Sequence, residues 1–169
     1  MAVSRTSVLP FPQFELAVKN ANHLDVKTVE GDVTLREFVA GMFNYQPAWL
    51  IFLYGVRSVF VRFLGMKQEQ QRWAKLRPED VPMTPDAKLA FFTVKLARED
   101  RYILAEIKDK HLDAQLGVCV EPLENGRNRF NVITIVHFNN WTGPVYFSVI
   151  RPFHHLVVGS MARAGARKP

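Results

Sequence analysis

The 169-residue chain is 48% apolar, 12% aromatic and 22% charged. This balance excludes a disordered chain and lets roughly 68–70% of the unfolded surface be buried without metals or disulfides. The lone cysteine, Cys119, excludes a disulfide framework and any multi-cysteine zinc site. The net charge of +6 gathers in two places: six basic residues from Arg57 to Arg77 face only Glu69, and Arg151, Arg163, Arg167 and Lys168 have no acid near them in sequence. Such runs read as solvated surface, with phosphates or an anionic membrane surface as the alternative partner.

In chain order, residues 1–13 form an extended lead-in, because Pro10 and Pro12 forbid helix. Phe14 to Val18 alternates and predicts a short strand, and Asn20 to Asp25 predicts a turn. Thr34 with Glu37 three residues later has the capping-box spacing, and Leu35, Phe38, Val39, Met42 and Phe43 recur at helical steps, so a helix is expected from about Leu35 to Asn44. A second helix opens near Pro47 with Trp49, Phe52, Leu53, Val56, Phe60, Phe63 and Leu64 on one broad apolar face, stopping at Gly65. The proline-bearing stretch to Asp86 reads as a surface loop.

The period then changes to two. Lys88–Ala97 predicts a strand with Ala90, Phe92, Val94 and Leu96 on one face, and Tyr102–Ile107 a second strand. The apolar phase flips to Leu112, Ala114, Leu116, Val118 and Val120, which requires a break around Lys108–His111. Asn125-Gly126 signals a hairpin into a strand over Phe130–Phe138. Val145 to Ile150 fits strand or helix, Phe153 to Ala164 is helical, and Pro152 either kinks one long helix or opens another.

A short strand, two helices, an antiparallel meander and a C-terminal helix make an α+β order in one domain spanning 1–169, with a basic disordered tail expected at 165–169. The architecture that fits is a curved antiparallel sheet packed on a long C-terminal helix, the helix-grip (START-like) arrangement, with a cavity between them. A narrower resemblance rests on Gln46-Pro47-Ala48-Trp49, Gly55-Val56-Arg57-Ser58, Leu64-Gly65-Met66-Lys67, Lys110-His111-Leu112-Asp113, and Tyr146 with Arg151-Pro152-Phe153-His154. From about Val26 to Arg163 the chain resembles the bacterial domain of unknown function 2867 family, departing from it at Ser58, where asparagine is expected, and at Ala114, where an aromatic is more usual. The resemblance implies a helix-grip-like domain, sometimes joined to a short-chain-dehydrogenase-like domain, and no established activity.

The candidate ligand-binding residues are Trp49, Phe52, Arg57, His111, Asp113, Tyr146 and His154, around a small, largely apolar molecule with His111 or Tyr146 at its polar end. Each has a plain alternative: the aromatics fill core, Arg57 lays its methylenes along it, and His111 with Asp113 forms a polar hairpin. As an enzyme, the chain would use His111 and Asp113, two apart on one strand face, as an acid–base pair. As an accessory domain it would dock a dehydrogenase-like partner through its basic helix. His154-His155 point about 100° apart on a helix and do not chelate one metal easily, and His137 reads as a satisfied, partly buried histidine. Phosphate-binding, dinucleotide-binding and nucleophile-elbow motifs are missing, so no metal, cofactor or nucleic-acid partner is expected. The stretch Ala48–Leu64 is interrupted by Arg57, Ser58 and Arg62 and falls short of the ~20 residues a membrane span needs. With Pro10 and Pro12 breaking any signal-peptide pattern, a cytoplasmic location is expected.

Overall fold

A computed structural model describes residues 12–63 and 75–168. Helix α1 (Glu15–Val18) follows a 3-10 turn at Pro12–Phe14, and strand β1 spans His23–Gly31. Helices α2 (Leu35–Asn44) and α3 (Ala48–Phe63) come next. Strands β2 (Lys88–Leu89), β3 (Phe92–Arg98), β4 (Tyr102–Lys108), β5 (Leu112–Pro122) and β6 (Asn128–Phe138) precede α4 (Thr142–Gly165). The six strands form one antiparallel sheet in the order β1-β6-β5-β4-β3-β2. The consecutive hairpins are the expected meander, and β1 is added across the edge by β6.

Local chemistry sets most boundaries. Thr34 Oγ1 accepts from Glu37 N (3.3 Å) while Glu37 Oε2 accepts from Thr34 N (2.7 Å), so the capping box that opens α2 is complete. The phase flip between β4 and β5 is a tight turn at residues 109–111, and Asn125-Gly126, with Gly126 at φ 76°, turns β5 into β6.

Four expectations are corrected. Phe14–Val18 is helical, because the Phe14 ring is wholly buried against the convex face of the sheet, where a Cβ on Gly117 would lie 2.8 Å from it. The turn expected at Asn20–Asp25 is present from Asn20 (φ 61°) to Asn22, and gives way at His23 to β1, held by backbone pairing to β6 from His23↔Val136 to Gly31↔Asn128. The strand expected over Lys88–Ala97 is a hairpin turning at Ala90 (φ 53°), and a register shift between Val94 and Leu96 moves Leu96 off the concave face and puts Ala97 there instead. On α3 the inward stripe is Leu50, Leu53, Tyr54 and Arg57; Phe52 and Val56 of the broad apolar face are 69% and 51% exposed. The expected stop at Gly65 lies outside the described residues. Pro152 sits inside α4, one 24-residue helix about 36 Å long.

The concave face carries its main core at one end. There α2 and the second half of α4 close on the sheet: Phe38, Val39 and Met42 meet Val118, Val120, Phe130, Val132, Val158 and Ala162. Phe38 stacks on Phe130 with ring centroids 4.0 Å apart and planes 3° apart. Helices α2 and α4 cross so closely that a Cβ on Gly165 would lie 2.6 Å from Phe38 O. The convex face carries a second cluster, Phe14, Ala21, Leu104, Cys119, Ile133 and Ile135.

Candidate functional site: a cavity between sheet and C-terminal helix

Beyond the main core of the concave face the sheet and α4 draw apart before they meet again in a smaller cluster of Leu112, Val136, Tyr146 and Phe147, with Ala114, Phe138 and Ile150 packed against it. Pairing Ala114↔Val136 and Leu116↔Thr134 places these side chains on the floor of a cavity of about 370 Å³, with Ile107 and Leu112 beside them. The first half of α4 forms the roof with Tyr146, Phe147, Ile150, Phe153 and His154. Leu53, Tyr54 and Arg57 of α3 and the Phe91–Phe92 corner form the side. Val56, Val149 and Phe153 line the cavity while being 51%, 46% and 49% exposed, so they form an apolar rim at its mouth.

Polar groups enter this wall at two separate places. At the first, Arg57 Nε donates to the Tyr146 hydroxyl at 2.6 Å, and the guanidinium carbon lies 5.9 Å from the Tyr146 ring centre. Among the described residues no carboxylate pairs with Arg57; Asp109 lines the same cavity but is exposed to solvent. Burial raises the hydroxyl of Tyr146 above its ordinary range, with Arg57 pulling it partly back, and burial raises Tyr54 as well.

At the second place, Thr134 is 3% exposed, and its Oγ1 and the Nδ1 of His154 are buried without a hydrogen-bond partner. Burial, then the neighbouring His155 and His23, push His154 down to about 4, so its imidazole is neutral at neutral pH. Beside it the inward side chains of β1 meet α4: Asp25 Oδ2 lies 3.2 Å from both Lys27 Nζ and His155 Nδ1, and the His23 ring sits 4.7 Å from that of Phe147. His23 is also shifted downward, first by burial and next by Arg151.

The sequence-predicted residues divide. Arg57, Tyr146 and His154 converge on the cavity. Trp49, Phe52, His111 and Asp113 are not among the lining residues: Trp49 stands edge-on to Tyr45 and Phe52 is 69% exposed. His111 bonds through Nδ1 to the Thr142 hydroxyl, and Asp113 accepts from Asn139 Nδ2 at 2.9 Å. Together they tie the β4–β5 turn to the start of α4, where a Cβ on Gly143 would meet His111 O at 2.6 Å. His137 is half-buried with Nε2 donating to Ala17 O at 2.9 Å.

Five residues in or beside this site escape sequence reasoning. Thr134 carried a readable signal, a polar residue at an inward position between Val132 and Val136. The alternation His23, Asp25, Lys27 was readable only once β1 was known to be a strand. Tyr54 had no signal apart from the helical phase of α3. Cys119 is wholly buried, and burial followed by Glu121 raises its thiol far above the ordinary value, so it is unreactive in the folded state. Among the described residues no cluster of three or more His, Cys, Asp or Glu side chains is placed to hold a metal, and no helix is long and apolar enough to cross a membrane.

A curved antiparallel sheet wrapped on a long C-terminal helix, with an apolar cavity between them, defines an α+β protein of helix-grip architecture. The chain belongs to the family described as "Protein of unknown function (DUF2867)", which matches residues 17–161. No curated protein matches it. Among solved structures it is similar to hypothetical protein jhp0584 from Helicobacter pylori, at 11% identity over 98% of this chain and 100% of that one, with a TM-score of 0.45. A START superfamily protein from Mycobacterium smegmatis is 15% identical over 84% of this chain and 97% of that one, with a TM-score of 0.38. Ara h 8.0201 is 6% identical over 85% and 97%, with a TM-score of 0.40.

Proposed function

We propose that the protein binds a small, largely apolar molecule in the cavity between the concave face of the sheet and α4. The observation that carries this reading is the contrast within one interior: α2 and α4 pack one end of the concave face solid, while about 370 Å³ stays open between that core and the smaller cluster of Leu112, Val136, Tyr146 and Phe147, behind an apolar rim. Protein interiors ordinarily close such gaps, since an unfilled apolar void forfeits dispersion contacts on every wall. A volume at the lower end of the range for ligand sites holds on the order of a dozen non-hydrogen atoms, taking about 30 Å³ for each as for a water.

Native mass spectrometry of freshly purified protein against the denatured chain tests for a resident ligand, and titration with the neutral fluorophore N-phenyl-1-naphthylamine tests the emptied cavity. Wild type should enhance the dye's emission saturably. Ala114→Phe, which puts a ring on the cavity floor, should weaken that binding at least tenfold. Equal dye binding by wild type and Ala114→Phe, with no mass lost on denaturation, would refute the reading.

A further inference from the structure

We propose that the ligand is an amphiphile with an oxyanion head, of the class of medium-chain or arylalkyl carboxylates, and that Arg57 is the residue that reads the head. The inference rests on the cavity being a ligand site and adds the chemistry of what enters it. Arg57 follows Leu50, Leu53 and Tyr54 on the inward stripe of α3, which puts a permanent cation into a wall that is otherwise almost entirely apolar. Its Nε is committed to the Tyr146 hydroxyl at 2.6 Å, which fixes the plane of the guanidinium. No carboxylate among the described residues pairs with it, so the fork of Nη donors meets no counter-charge from the protein.

A half-buried cation without a counter-ion is costly, whereas a carboxylate presented to the guanidinium fork forms the short, charge-assisted pair that Arg favours over Lys. The other polar place in the wall has the opposite character. Thr134 Oγ1 and His154 Nδ1 are uncharged hydrogen-bonding groups, so the cavity offers one charged end and a neutral remainder. Asp109 is the acid on the same cavity; it is exposed, and its charge is spread into solvent. Tyr146 is here a positioning residue for Arg57.

Decanoate, with its twelve non-hydrogen atoms, 1-decanol and decylamine compete against N-phenyl-1-naphthylamine on wild type, Arg57→Gln, Arg57→Lys and Tyr146→Phe. Wild type should bind decanoate at least tenfold more tightly than decanol and should take decylamine worst. Arg57→Gln should lose about ten- to a hundredfold in decanoate affinity, the range of a hydrogen bond to a charged group. Its decanol affinity should fall far less than its decanoate affinity, and an unchanged far-UV circular dichroism spectrum shows that the variant has folded. Arg57→Lys should recover part of the loss, and Tyr146→Phe should weaken decanoate less than Arg57→Gln does. Equal binding of decanoate and decanol by wild type, or an Arg57→Gln protein with undiminished preference for decanoate, would overturn the assignment of the head group while leaving the cavity reading intact. Failure of the dye and all three probes to bind would overturn both.

Discussion

His154 makes the stability of this fold depend on acid in a calculable way. In the unfolded chain its imidazole takes a proton near the ordinary value of 6.5; in the folded protein, buried in the cavity roof beside His155 and His23, it does so only near 4. Between those values the unfolded state binds the proton and the folded state does not, so stability is retained above about pH 6.5 and lost as the pH falls toward 4. The difference between the two states amounts to about 3 kcal/mol in full, most of it gone at pH 4.5. His154→Phe keeps a ring against Phe147 and removes the titration. Urea unfolding of both proteins at pH 7 and pH 4.5 measures the difference. The carboxylates titrate alike in the two and cancel, and His23 contributes to both. Wild type should lose about 2 kcal/mol more than His154→Phe on acidification. Parallel losses, within about 0.5 kcal/mol, would refute the claim that His154 is held neutral by its burial.

Gly165→Ala would drive a Cβ to 2.6 Å from Phe38 O and 2.8 Å from Met42 Cγ at the α2–α4 crossing. It should cost about 1–3 kcal/mol in chemical denaturation, as overpacking does. Thr134→Val exchanges a buried, unpartnered hydroxyl for a methyl of nearly the same shape and should stabilise the ligand-free protein by about 1 kcal/mol, raising Tm by about 2–4 °C; a fall in Tm would mean that the hydroxyl is satisfied in solution. Cys119 should resist a thiol-specific aromatic disulfide in the native protein and react fully in denaturant, and prompt native labelling would contradict its burial.

The features legible in the sequence are those whose causes lie within a few residues. Thr34 and Glu37 cap α2 because their side chains reach backbone amides one turn away. Asn125-Gly126 turns β5 into β6 because glycine takes φ 76° without strain, and the flip of apolar phase marks the turn between β4 and β5 because a strand cannot change face unbroken. Arg57, Tyr146 and His154 were nameable as candidates because a charge or a polar ring inside an apolar helix stands out against its neighbours. His111 and Asp113 stood out equally, yet the fold uses their hydrogen bonds at the start of α4.

What the sequence by itself determined is therefore the helix-grip order of elements and the strand faces whose alternation is unbroken. The tertiary structure decided the rest, wherever the partner is distant in sequence. His23 to Gly31 becomes a strand because β6, about a hundred residues on, completes its hydrogen bonds. Phe14 ends in a helix because the convex face offers its ring a site over Gly117. The rotation of α3 turns Arg57 inward and leaves Phe52 outside, a choice that a broadly apolar helix does not encode in its own pattern. The cavity in the concave face follows from where α2 stops filling it, since unfilled volume depends on the separation of packed elements and no local sequence pattern records that distance.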